Sequence, residues 1–407
     1  MSPLSRALLA GLLLTAGAWA GCTDEAPPAA RWWKGNTHTH TLWSDGDGAP
    51  EKVAAWYRER DYHFLVLSDH NVLSRGEKWF AVADNGRLTP ARVEELRARF
   101  GADQVEVRAT AAGGQEMRLC TLEELRGRFE APGEFLFVEG EEITDSFESS
   151  NVHVNGINLA ELVAPQGGAS IAAAIQANFD AVTAQGARLG RPVLAHLNHP
   201  NFTWSMGWED FAGLRGQAAF EVWNGHPGVR NVGDAAHPST ETMWDLANQR
   251  RTTELQQPPL LGFATDDSHH YFGAGMQAVS PGRAWIRVRA TDLTAEALVE
   301  AMRRGDFYGS TGVELDDVAV GGGEYRVDVA AEAGVAYRTY FLGARRGGTA
   351  GEVLFETAAD PAVYRFTGDE LFVRAKVVAD RPPANPSAPD EWASAWTQPV
   401  TAAAGAK

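Results

Sequence analysis

The 407-residue sequence has few cysteines and a shortage of basic side chains, and each shortage excludes a class of protein. Only Cys22 and Cys120 occur, so the fold does not depend on a framework of disulfides. Lys and Arg number 36 against 53 Asp and Glu, which gives a formal net charge of -17. Such a chain is poorly suited to holding a phosphate backbone, so we expect no nucleic-acid-binding surface.

Two common functional motifs are also missing. No G-x-G-x-x-G follows the first predicted strand, which disfavours a dinucleotide-binding protein. No G-x-S-x-G occurs, so nothing indicates the nucleophile turn of a serine hydrolase. Histidine is absent beyond about residue 315, and we therefore expect packing or partner contact rather than chemistry from that part of the chain.

The N-terminus predicts export from the cytoplasm. Arg6 precedes an apolar run over 7–18 that is too short to span a bilayer comfortably, and AWA before Gly21 is typical of a signal-peptidase site. Cys22 is either the lipidated residue of a lipoprotein, and so a membrane tether, or an ordinary residue near the cleavage site. Against lipidation, Trp19 stands where lipoprotein signals usually carry Leu. We expect residues 1–30 to be a signal peptide and tether, and the protein to be periplasmic or extracellular.

The remaining chain alternates short apolar runs with helical patterns, which predicts an α/β fold with a mostly parallel sheet. The apolar runs lie at 63–71, 134–145, 151–158, 192–200, 219–225 and 260–270, with another at 283–288. Helices are indicated after Pro50, over 171–182, and between the N-cap Thr294 and the stop signal Gly305. So many units favour a barrel over an open sheet. We expect a barrel domain over 31–314, with an insertion at about 77–130, and a small β-rich domain over 315–407.

Histidines and carboxylates gather where the predicted strands end. In an α/β barrel the C-terminal strand ends share one face, so side chains from these segments would meet there. Imidazole and carboxylate are ligands suited to zinc, manganese or iron, and six contributing segments predict a metal centre. The side chains are His38, His40 and Asp45; Asp69, His70 and Asn71; Glu139, Glu141 and Glu142; His153; His196 and His199; and Asp266, Asp267, His269 and His270.

The order and spacing of these residues resemble the PHP family, the polymerase and histidinol phosphatase metallohydrolases. The matching segments are HTH with Asp45, SDHN, GEEI, a histidine eleven residues after Glu142, NHP and DSH, spread over roughly residues 34–312. EVWNG, FYGSTG and AWTQPV further resemble the CehA/McbA branch, which includes a carbaryl hydrolase. The resemblance implies a distorted (β/α)7 TIM-like barrel that holds two or three divalent metal ions, which would be zinc, manganese or iron.

The resemblance also implies nine metal ligands in three groups. His38, His40, Glu142 and Asp267 match the ligands of one metal, Glu142 with His153 and His199 match a second, and Asp45, His70 and His269 match a third. Neighbouring residues compete for three of these positions: His196 for His199, Glu141 for Glu142, and Asp266 for Asp267. The family pattern favours His199 because Pro200 follows it, Glu142 because of its spacing to His153, and Asp267 because it stands two residues before His269.

Other residues are candidates for catalysis or substrate binding. Asp69 either orients a ligand or accepts a proton, or it caps a strand end. His270 either contacts substrate or lies at the rim of the site. Phosphatases of the family often carry Gly-Arg after His-Pro, where this chain has Asn-Phe. Arg283 and Arg75 are candidates to bind phosphate instead, or either is a surface ion-pair residue, an explanation that fits Arg75 better.

Three functions are compatible with this pattern. The leading one is a metal-dependent phosphoesterase that acts on a small molecule through a hydroxide bridging the metals. The alternative is a metal-dependent carbamate, ester or amide hydrolase, for which Trp204, Trp208 and Trp223 would line an apolar pocket. The third is a non-catalytic surface protein in which the metals only stabilise the fold. The large ligand set disfavours the third, because structural sites do not need so many ligands or open positions. The sequence does not indicate an oligomeric state.

Overall fold

The fold is given by a computed structural model that describes residues 29–273 and 275–402. The predicted signal peptide, apart from its last two residues, and the predicted lipidation of Cys22 lie outside these residues. Among the helices described, none combines the length and the hydrophobicity needed to cross a membrane.

Nineteen strands and seven helices occur in the described residues. The strands are β1 Arg31–Asn36, β2 Phe64–Leu67, β3 Trp79–Val82, β4 Val107–Ala109, β5 Gln115–Arg118, β6 Leu136–Phe147, β7 Ser150–Ile157, β8 Leu194–Leu197, β9 Ala219–Asn224, β10 Leu261–Thr265, β11 Trp285–Ala290, β12 Phe307–Ser310, β13 Leu315–Gly321, β14 Glu324–Val329, β15 Tyr337–Arg345, β16 Glu352–Thr357, β17 Ala362–Arg365, β18 Glu370–Ala379 and β19 Ser394–Thr397. The helices are α1 Pro50–Arg58, α2 Pro90–Phe100, α3 Leu122–Phe129, α4 Ile171–Leu189, α5 Trp208–Ala212, α6 Thr240–Thr253 and α7 Ala295–Arg304.

Local sequence signals explain where several helices begin and end. Pro50 opens α1 at a position where its missing N–H costs no hydrogen bond. The side chain of Thr294 accepts a hydrogen bond from the N–H of Ala297 at the start of α7. Gly305 ends α7 in the left-handed conformation that glycine adopts without strain. The structure confirms the helices that these three signals predict.

The short apolar strands are covered on both faces. In β2, whose sequence is FLVL, Phe64 and Val66 belong to a buried cluster that includes residues of α7. Leu65 and Leu67 point the other way, into a cluster built from α1 and α3. Alternate residues of a strand face opposite sides, so a continuous apolar run indicates a strand that is buried twice.

One sheet of 13 strands dominates the molecule, in the order β10-β9-β8-β7-β6-β2-β1-β11-β12-β19-β18-β15-β16. Pairing is parallel from β1 through β2 to β6 and again from β8 through β9 to β10. β7 lies between these two groups and pairs antiparallel with both β6 and β8. The molecule is therefore a mixed α/β fold with one large mixed sheet.

The ladders in the described residues do not close into a ring, so the predicted barrel is not confirmed. After β1 and β10, a single parallel bridge joins Thr39 and Ser268. On its other edge β1 pairs antiparallel with β11, which leads the sheet away toward β12 and β19 instead of back to β10. The mostly parallel sheet that we predicted is also too simple, because β7 and the strands from β11 onward are antiparallel.

The segment predicted as an insertion contains a small sheet and two helices. β5 lies between β3 and β4, and both pairings are antiparallel. Thr89 caps α2, and a capping box formed by Thr121 and Glu124 starts α3. Leu88, Leu96 and neighbouring residues bury a separate apolar cluster with Leu42 and Trp43. The insertion therefore packs against the turn that follows β1.

Within the described residues after 314, every regular element is a strand, in a segment whose composition predicted β-structure. β13, β14 and β17 form a three-stranded sheet, while β15, β16, β18 and β19 extend the main sheet. Because β19 pairs with β12, the main sheet continues across the predicted domain boundary. The boundary itself stays a prediction.

Candidate metal centre

All nine predicted ligands lie together at one end of the parallel strands, and we call them the central cluster. His38 and His40 follow β1, Asp45 lies in the next turn, and His70 follows β2. His199 follows β8, and Asp267 and His269 follow β10. Overlapping groups that could hold a metal ion are His40, Asp45, His70 and His269; His38, His40 and Glu142; His38, His199 and Asp267; and His70, Glu142 and His153.

Glu142 and His153 reach the cluster from a hairpin and not from strand ends. We predicted that Glu142 would end its strand, but β6 continues to Phe147 and β7 returns from Ser150. Glu142 pairs with Asn155, and Thr144 pairs with His153. Since alternate residues share a face of a strand, His153 and Glu142 are diagonal neighbours on one side of the hairpin.

Four side-chain atoms converge at the most buried part of the cluster. The Nε2 atom of His38 lies 3.4 Å from Glu142 Oε2 and 3.2 Å from Asp267 Oδ1. The Nε2 atom of His40 lies 3.3 Å and 3.2 Å from the same two oxygens. A tetrahedral ion with bonds of about 2.0–2.1 Å separates its ligands by about 3.3–3.4 Å. The four nitrogen–oxygen distances are therefore close to those between ligands of one such ion, although Glu142 and Asp267 fall in different candidate groups.

Several of the converging atoms are buried without a hydrogen-bond partner among the described residues. They are Nε2 of His38, Nε2 of His40, Oε2 of Glu142 and Nδ1 of His153. A buried polar atom without a partner costs about 1–3 kcal/mol, and more when the group is charged. A cation that accepts their lone pairs would remove that cost, so these residues fit a bound divalent metal.

The other oxygen of Glu142 faces a second pair of imidazoles. Glu142 Oε1 lies 2.9 Å from Nδ1 of His153 and 3.4 Å from Nε2 of His199. His153 and His199 nevertheless fall in different candidate groups, the first with His70 and the second with His38 and Asp267. The observed candidate groups therefore share several residues, whereas the prediction divided the ligands into three groups.

Asp45 forms the outer part of the cluster, where the side chains are more exposed. Its carboxylate oxygens lie 3.5 Å from Nε2 of His70 and 3.3 Å from Nε2 of His269. His40 belongs to the same group, and its ring stacks on that of His269 with centroids 4.1 Å apart. The predicted third group is thus brought together, with His40 as an additional member.

The charges in the cluster keep its carboxylates ionised. Burial alone would raise the pKa of Glu142, but His38, His153 and His70 hold it well below its usual range. Burial would likewise raise the pKa of Asp267, and His38 and His40 lower it. Burial would lower the pKa of His38, yet Asp267 and Glu142 raise it well above its usual range, so protons would compete with cations for this imidazole.

Glu221 supports the cluster from behind, although it was not among the predicted ligands. Its Oε1 atom lies 2.7 Å from Nδ1 of His38, and its Oε2 atom accepts a hydrogen bond of 2.8 Å from the N–H of His199. Although burial would raise the pKa of Glu221, His38 lowers it to about 2. The carboxylate therefore holds the His38 proton on Nδ1 and leaves Nε2 free to coordinate, as is usual for metal-binding histidines. The only sequence feature that pointed to Glu221 was its position in the EVWNG segment.

Two cluster residues have strained backbones that their neighbours stabilise. His199 has φ 25° and Asp267 has φ 49°, in the left-handed region that non-glycine residues rarely adopt. Glu221 fixes the N–H of His199, and the N–H of Asp267 donates to the carbonyl of His38 over 3.1 Å. Strain of this kind concentrates at functional sites, where it aims a side chain at a target.

The competing neighbours have other partners. His196 is fully buried, contacts Thr37 Oγ1 at 3.2 Å, and stacks on Phe263 with centroids 4.7 Å apart. Glu141 accepts a hydrogen bond of 2.6 Å from the N–H of Val163, and burial raises its pKa to about 7. Asp266 accepts hydrogen bonds from the N–H groups of Arg283 and Ala284. None of these three belongs to a candidate metal group within the described residues.

Two predicted catalytic residues do not border the cavity beside the cluster. Asp69 accepts hydrogen bonds from the N–H and hydroxyl of Thr41 and from Ser44, so it holds the turn between His40 and Asp45. Arg283 is fully buried and donates to the carbonyl oxygens of Gly225, Gly275 and Met276. The prediction that Arg283 binds phosphate is therefore wrong, because backbone oxygens already occupy its guanidinium group. Of the roles predicted for Asp69, its contacts with Thr41 and Ser44 fit best with orienting a ligand, because they hold the turn that carries Asp45.

A cavity of about 460 Å³ opens beside the cluster. Besides cluster residues, its lining consists of Phe202, His226, His270 and Val279. His270 thus borders the cavity, which fits both alternatives predicted for it, whereas Phe202 and His226 were not predicted to line the site. Among the described residues that line the cavity there is no tryptophan: Trp223 stacks on Trp396, Trp204 stacks on His237, and Trp208 packs against a buried apolar cluster.

Comparison with known proteins gives only distant similarities. No family model matches the chain, and no curated protein is similar to it by sequence. A solved two-domain protein from Bacteroides vulgatus, described as containing a predicted PHP-like metal-dependent phosphoesterase, has a TM-score of 0.40 and 15% identity over 92% of this chain and 97% of its own. An amidohydrolase from Chromobacterium violaceum, solved with bound sulfate and no metal, has a TM-score of 0.30 and 14% identity over 58% of this chain and 88% of its own. At these values the functional argument depends on the cluster itself.

Proposed function

We propose that the protein is a metal-dependent hydrolase, with phosphoester hydrolysis as its leading activity. The observation that carries the proposal is the convergence of His38 and His40 on Glu142 and Asp267, with imidazole nitrogens 3.2–3.4 Å from carboxylate oxygens. Two or three ions of zinc, manganese or iron held there would acidify a water molecule and stabilise negative charge that develops on the substrate. Phosphoester hydrolysis leads because the sequence resembles the PHP family.

The protein's own residues have separate parts in this proposal. One oxygen of Glu142 faces His38 and His40, and the other faces His153 and His199. Glu142 is therefore the residue that two bound ions would share. Glu221 keeps the proton of His38 on Nδ1 through the 2.7 Å contact. Asp69 fixes the turn that carries Asp45 toward the outer half of the cluster. The cavity has the size of a site for a small molecule.

A second candidate is the hydrolysis of a carbamate, ester or amide. The observation that favours it is that no Lys or Arg lines the cavity in the part of the chain that the structure describes. Phosphate sites commonly use the paired donors of arginine, and an uncharged acyl group does not need them. The sequence resemblance to the CehA/McbA branch points the same way.

Metal analysis followed by a substrate screen tests both proposals. We expect at least two equivalents of transition metal per chain in protein purified without chelators. The loaded and the chelated protein are then compared on phosphomonoesters, phosphodiesters and aryl carbamates, and hydrolysis should require metal. Less than one equivalent after refolding with zinc, manganese and iron would refute a centre with several metals.

We further propose that the protein is exported and that Cys22 is a candidate lipid anchor. The support is the sequence of residues 1–30 alone. Fractionation of cells that express the full chain should find it outside the cytoplasm. A Cys22→Ala variant that still incorporates labelled palmitate would exclude Cys22 as the anchor.

A further inference from the structure

Two histidines border the cavity without belonging to any candidate metal group in the described residues. They are His226, in the loop after β9, and His270, directly after the cluster residue His269. The ring of His226 lies 5.9 Å from that of His269 and 5.5 Å from that of Phe202, measured between centroids. Both neighbours line the same cavity, so His226 stands at its wall next to the outer half of the cluster.

Backbone groups fix the same tautomer in both rings. The N–H of Gly228 donates to Nδ1 of His226 over 2.8 Å, and the N–H of Val279 donates to Nδ1 of His270 over 3.0 Å. A backbone N–H can only donate, so each Nδ1 must accept, and the proton of the neutral imidazole resides on Nε2. Neither Nε2 atom has a hydrogen-bond partner among the described residues. Each ring therefore has an N–H donor without a protein partner.

The loop that carries His226 is held in place by further hydrogen bonds. The N–H of His226 donates to Oδ1 of Asn224 over 2.8 Å, and Nδ2 of Asn224 donates to Oδ2 of Asp267 over 3.1 Å. Asn224 thus links the position of His226 to a residue of the central cluster. A donor fixed in this way is preorganised, and less entropy is lost when a ligand binds it.

No side-chain cation accompanies these donors. The cavity lining in the described residues contains no Lys or Arg, Arg283 is committed to backbone oxygens, and Arg75 pairs with Glu139 over two contacts of 2.6 Å. Asp45, Glu142 and Asp267 bring three carboxylates to the same cavity. The donors available to a substrate outside the cluster are therefore the two Nε2–H groups, and a second negative charge on a phosphoryl group would have no Lys or Arg side chain to pair with.

We propose that His226 and His270 are substrate-binding residues whose Nε2–H groups donate to the phosphoryl oxygens of a phosphodiester. The inference rests on the proposed phosphoesterase function and specifies its substrate class. A diester carries one negative charge and offers two non-bridging oxygens, which two neutral donors can match. A monoester carries close to two charges at neutral pH and would be the poorer substrate.

The test compares variants that remove or keep the donor. His226→Phe and His270→Phe keep a ring without an N–H, while His226→Gln and His270→Gln keep an amide donor. His63→Phe is the matched control, because Nδ1 of His63 also accepts from a backbone N–H, that of Lys34, but the ring does not line this cavity. The substrates are bis(p-nitrophenyl) phosphate and p-nitrophenyl phosphate, and metal content is measured for every protein.

We expect each Phe variant to lose about tenfold to a hundredfold in kcat/KM for the diester, mainly through KM, with unchanged metal content. The Gln variants should recover part of that loss, and His63→Phe should match the parent protein. The parent protein should have a higher kcat/KM on the diester than on the monoester. Independently of activity, nitrogen-15 NMR of histidine-labelled protein should show protonated Nε2 and unprotonated Nδ1 for the two signals that the Phe variants remove.

Distinct results would overturn this inference and the function on which it rests. Parent activity on the diester with unchanged KM in both Phe variants would refute the binding role alone. A higher kcat/KM on the monoester, or protonated Nδ1 atoms in the NMR spectra, would also refute it while leaving a phosphoesterase. Failure of the metal-loaded parent protein to hydrolyse either phosphoester would refute the proposed function and this inference with it.

Discussion

Glu142 joins two sets of histidines in the central cluster through its two carboxylate oxygens. One oxygen faces His38 and His40 at 3.4 Å and 3.3 Å, and the other faces His153 at 2.9 Å. A Glu142→Gln substitution keeps the size of the side chain but removes its charge and one strong acceptor. We expect the loss of at least one metal equivalent and a fall in turnover of about a hundredfold or more, measured by elemental analysis and steady-state kinetics.

Glu141→Gln is the control for that substitution. The two residues are adjacent in β6 and face opposite sides, and Glu141 accepts from the N–H of Val163. Glutamine retains an acceptor oxygen there, so metal content and turnover should change little. Near-normal activity of Glu142→Gln together with an inactive Glu141→Gln would mean that the ligand is misassigned by one residue.

Glu221 provides a second prediction at the scale of single residues. A Glu221→Gln substitution should weaken metal binding about 10–100-fold, because glutamine has no charge and only one acceptor oxygen, whereas both oxygens of Glu221 are used, one by Nδ1 of His38 and one by the N–H of His199. Competition with a chromogenic chelator measures the affinity. Glu139→Gln is a suitable control, since Glu139 pairs with the surface residue Arg75. Equal affinities for the two variants would show that Glu221 does not influence coordination.

At this scale the family pattern chose between neighbouring residues, and the resulting ligand set stays a prediction. Glu142, His199 and Asp267 were distinguished from adjacent competitors by the family pattern, and the structure places these three in the cluster and their competitors elsewhere. Arg283 was misjudged because a sequence does not show that backbone oxygens will occupy a guanidinium group. Glu221 and His226 were not predicted because their roles depend on contacts between distant segments: EVWNG includes Glu221, but the motif does not show its contact with His38.

At the scale of elements, the β6–β7 hairpin places Glu142 and His153 over the end of the sheet. Its strands approach closely at Gly140, where a Cβ atom would lie 2.5 Å from the carbonyl oxygen of Gly156 and 2.6 Å from Val66. We expect Gly140→Ala to cost about 1–3 kcal/mol of unfolding free energy, because the backbone must move to admit the methyl group. Chemical denaturation of the variant and the parent protein measures the change.

Gly127→Ala is the matched control for this prediction. Gly127 lies in the exposed face of α3, and a Cβ atom added there would meet no other atom of the described residues within 4 Å. Alanine should stabilise the helix there by about 0.5–1 kcal/mol. A Gly140→Ala variant as stable as Gly127→Ala would show that the hairpin does not need its close approach.

Strand and helix positions were largely predictable, whereas strand directions were not. Apolar runs and caps such as Thr294 are local signals, and they located β2, β8, β9, β10 and α7. β7 follows β6 after a tight turn and therefore runs antiparallel, which breaks the regular alternation of strand and helix. The pairing of β1 with β11 joins residues more than 250 positions apart, and neither strand carries a local signal for the other.

At the scale of the whole molecule, the chain beyond residue 314 is joined to the first part through several buried contacts. β19 pairs with β12, and Gln398 exchanges two hydrogen bonds with the backbone of Gly262 in β10. Arg374 in β18 forms a buried bidentate ion pair with Asp245 in α6, with contacts of 2.8 Å and 2.7 Å. A domain boundary predicted from composition marks where the residue composition of the chain changes. It does not show how much surface the two parts bury against each other.

These contacts lead us to expect that residues 29–314 will not fold alone. Removing 315–407 would break the ion pair between Arg374 and Asp245 and the two hydrogen bonds between Gln398 and Gly262. It would also uncover the edge of β12 and the face of Trp223 that stacks on Trp396, which favours aggregation. The truncated chain should be insoluble or melt without a cooperative transition, as measured by calorimetry and size-exclusion chromatography.

A chain lacking only residues 1–28 is the control, since β1 begins at Arg31, and it should melt like the full chain. A soluble 29–314 protein with full metal content and a melting temperature close to that control would instead establish an independent domain.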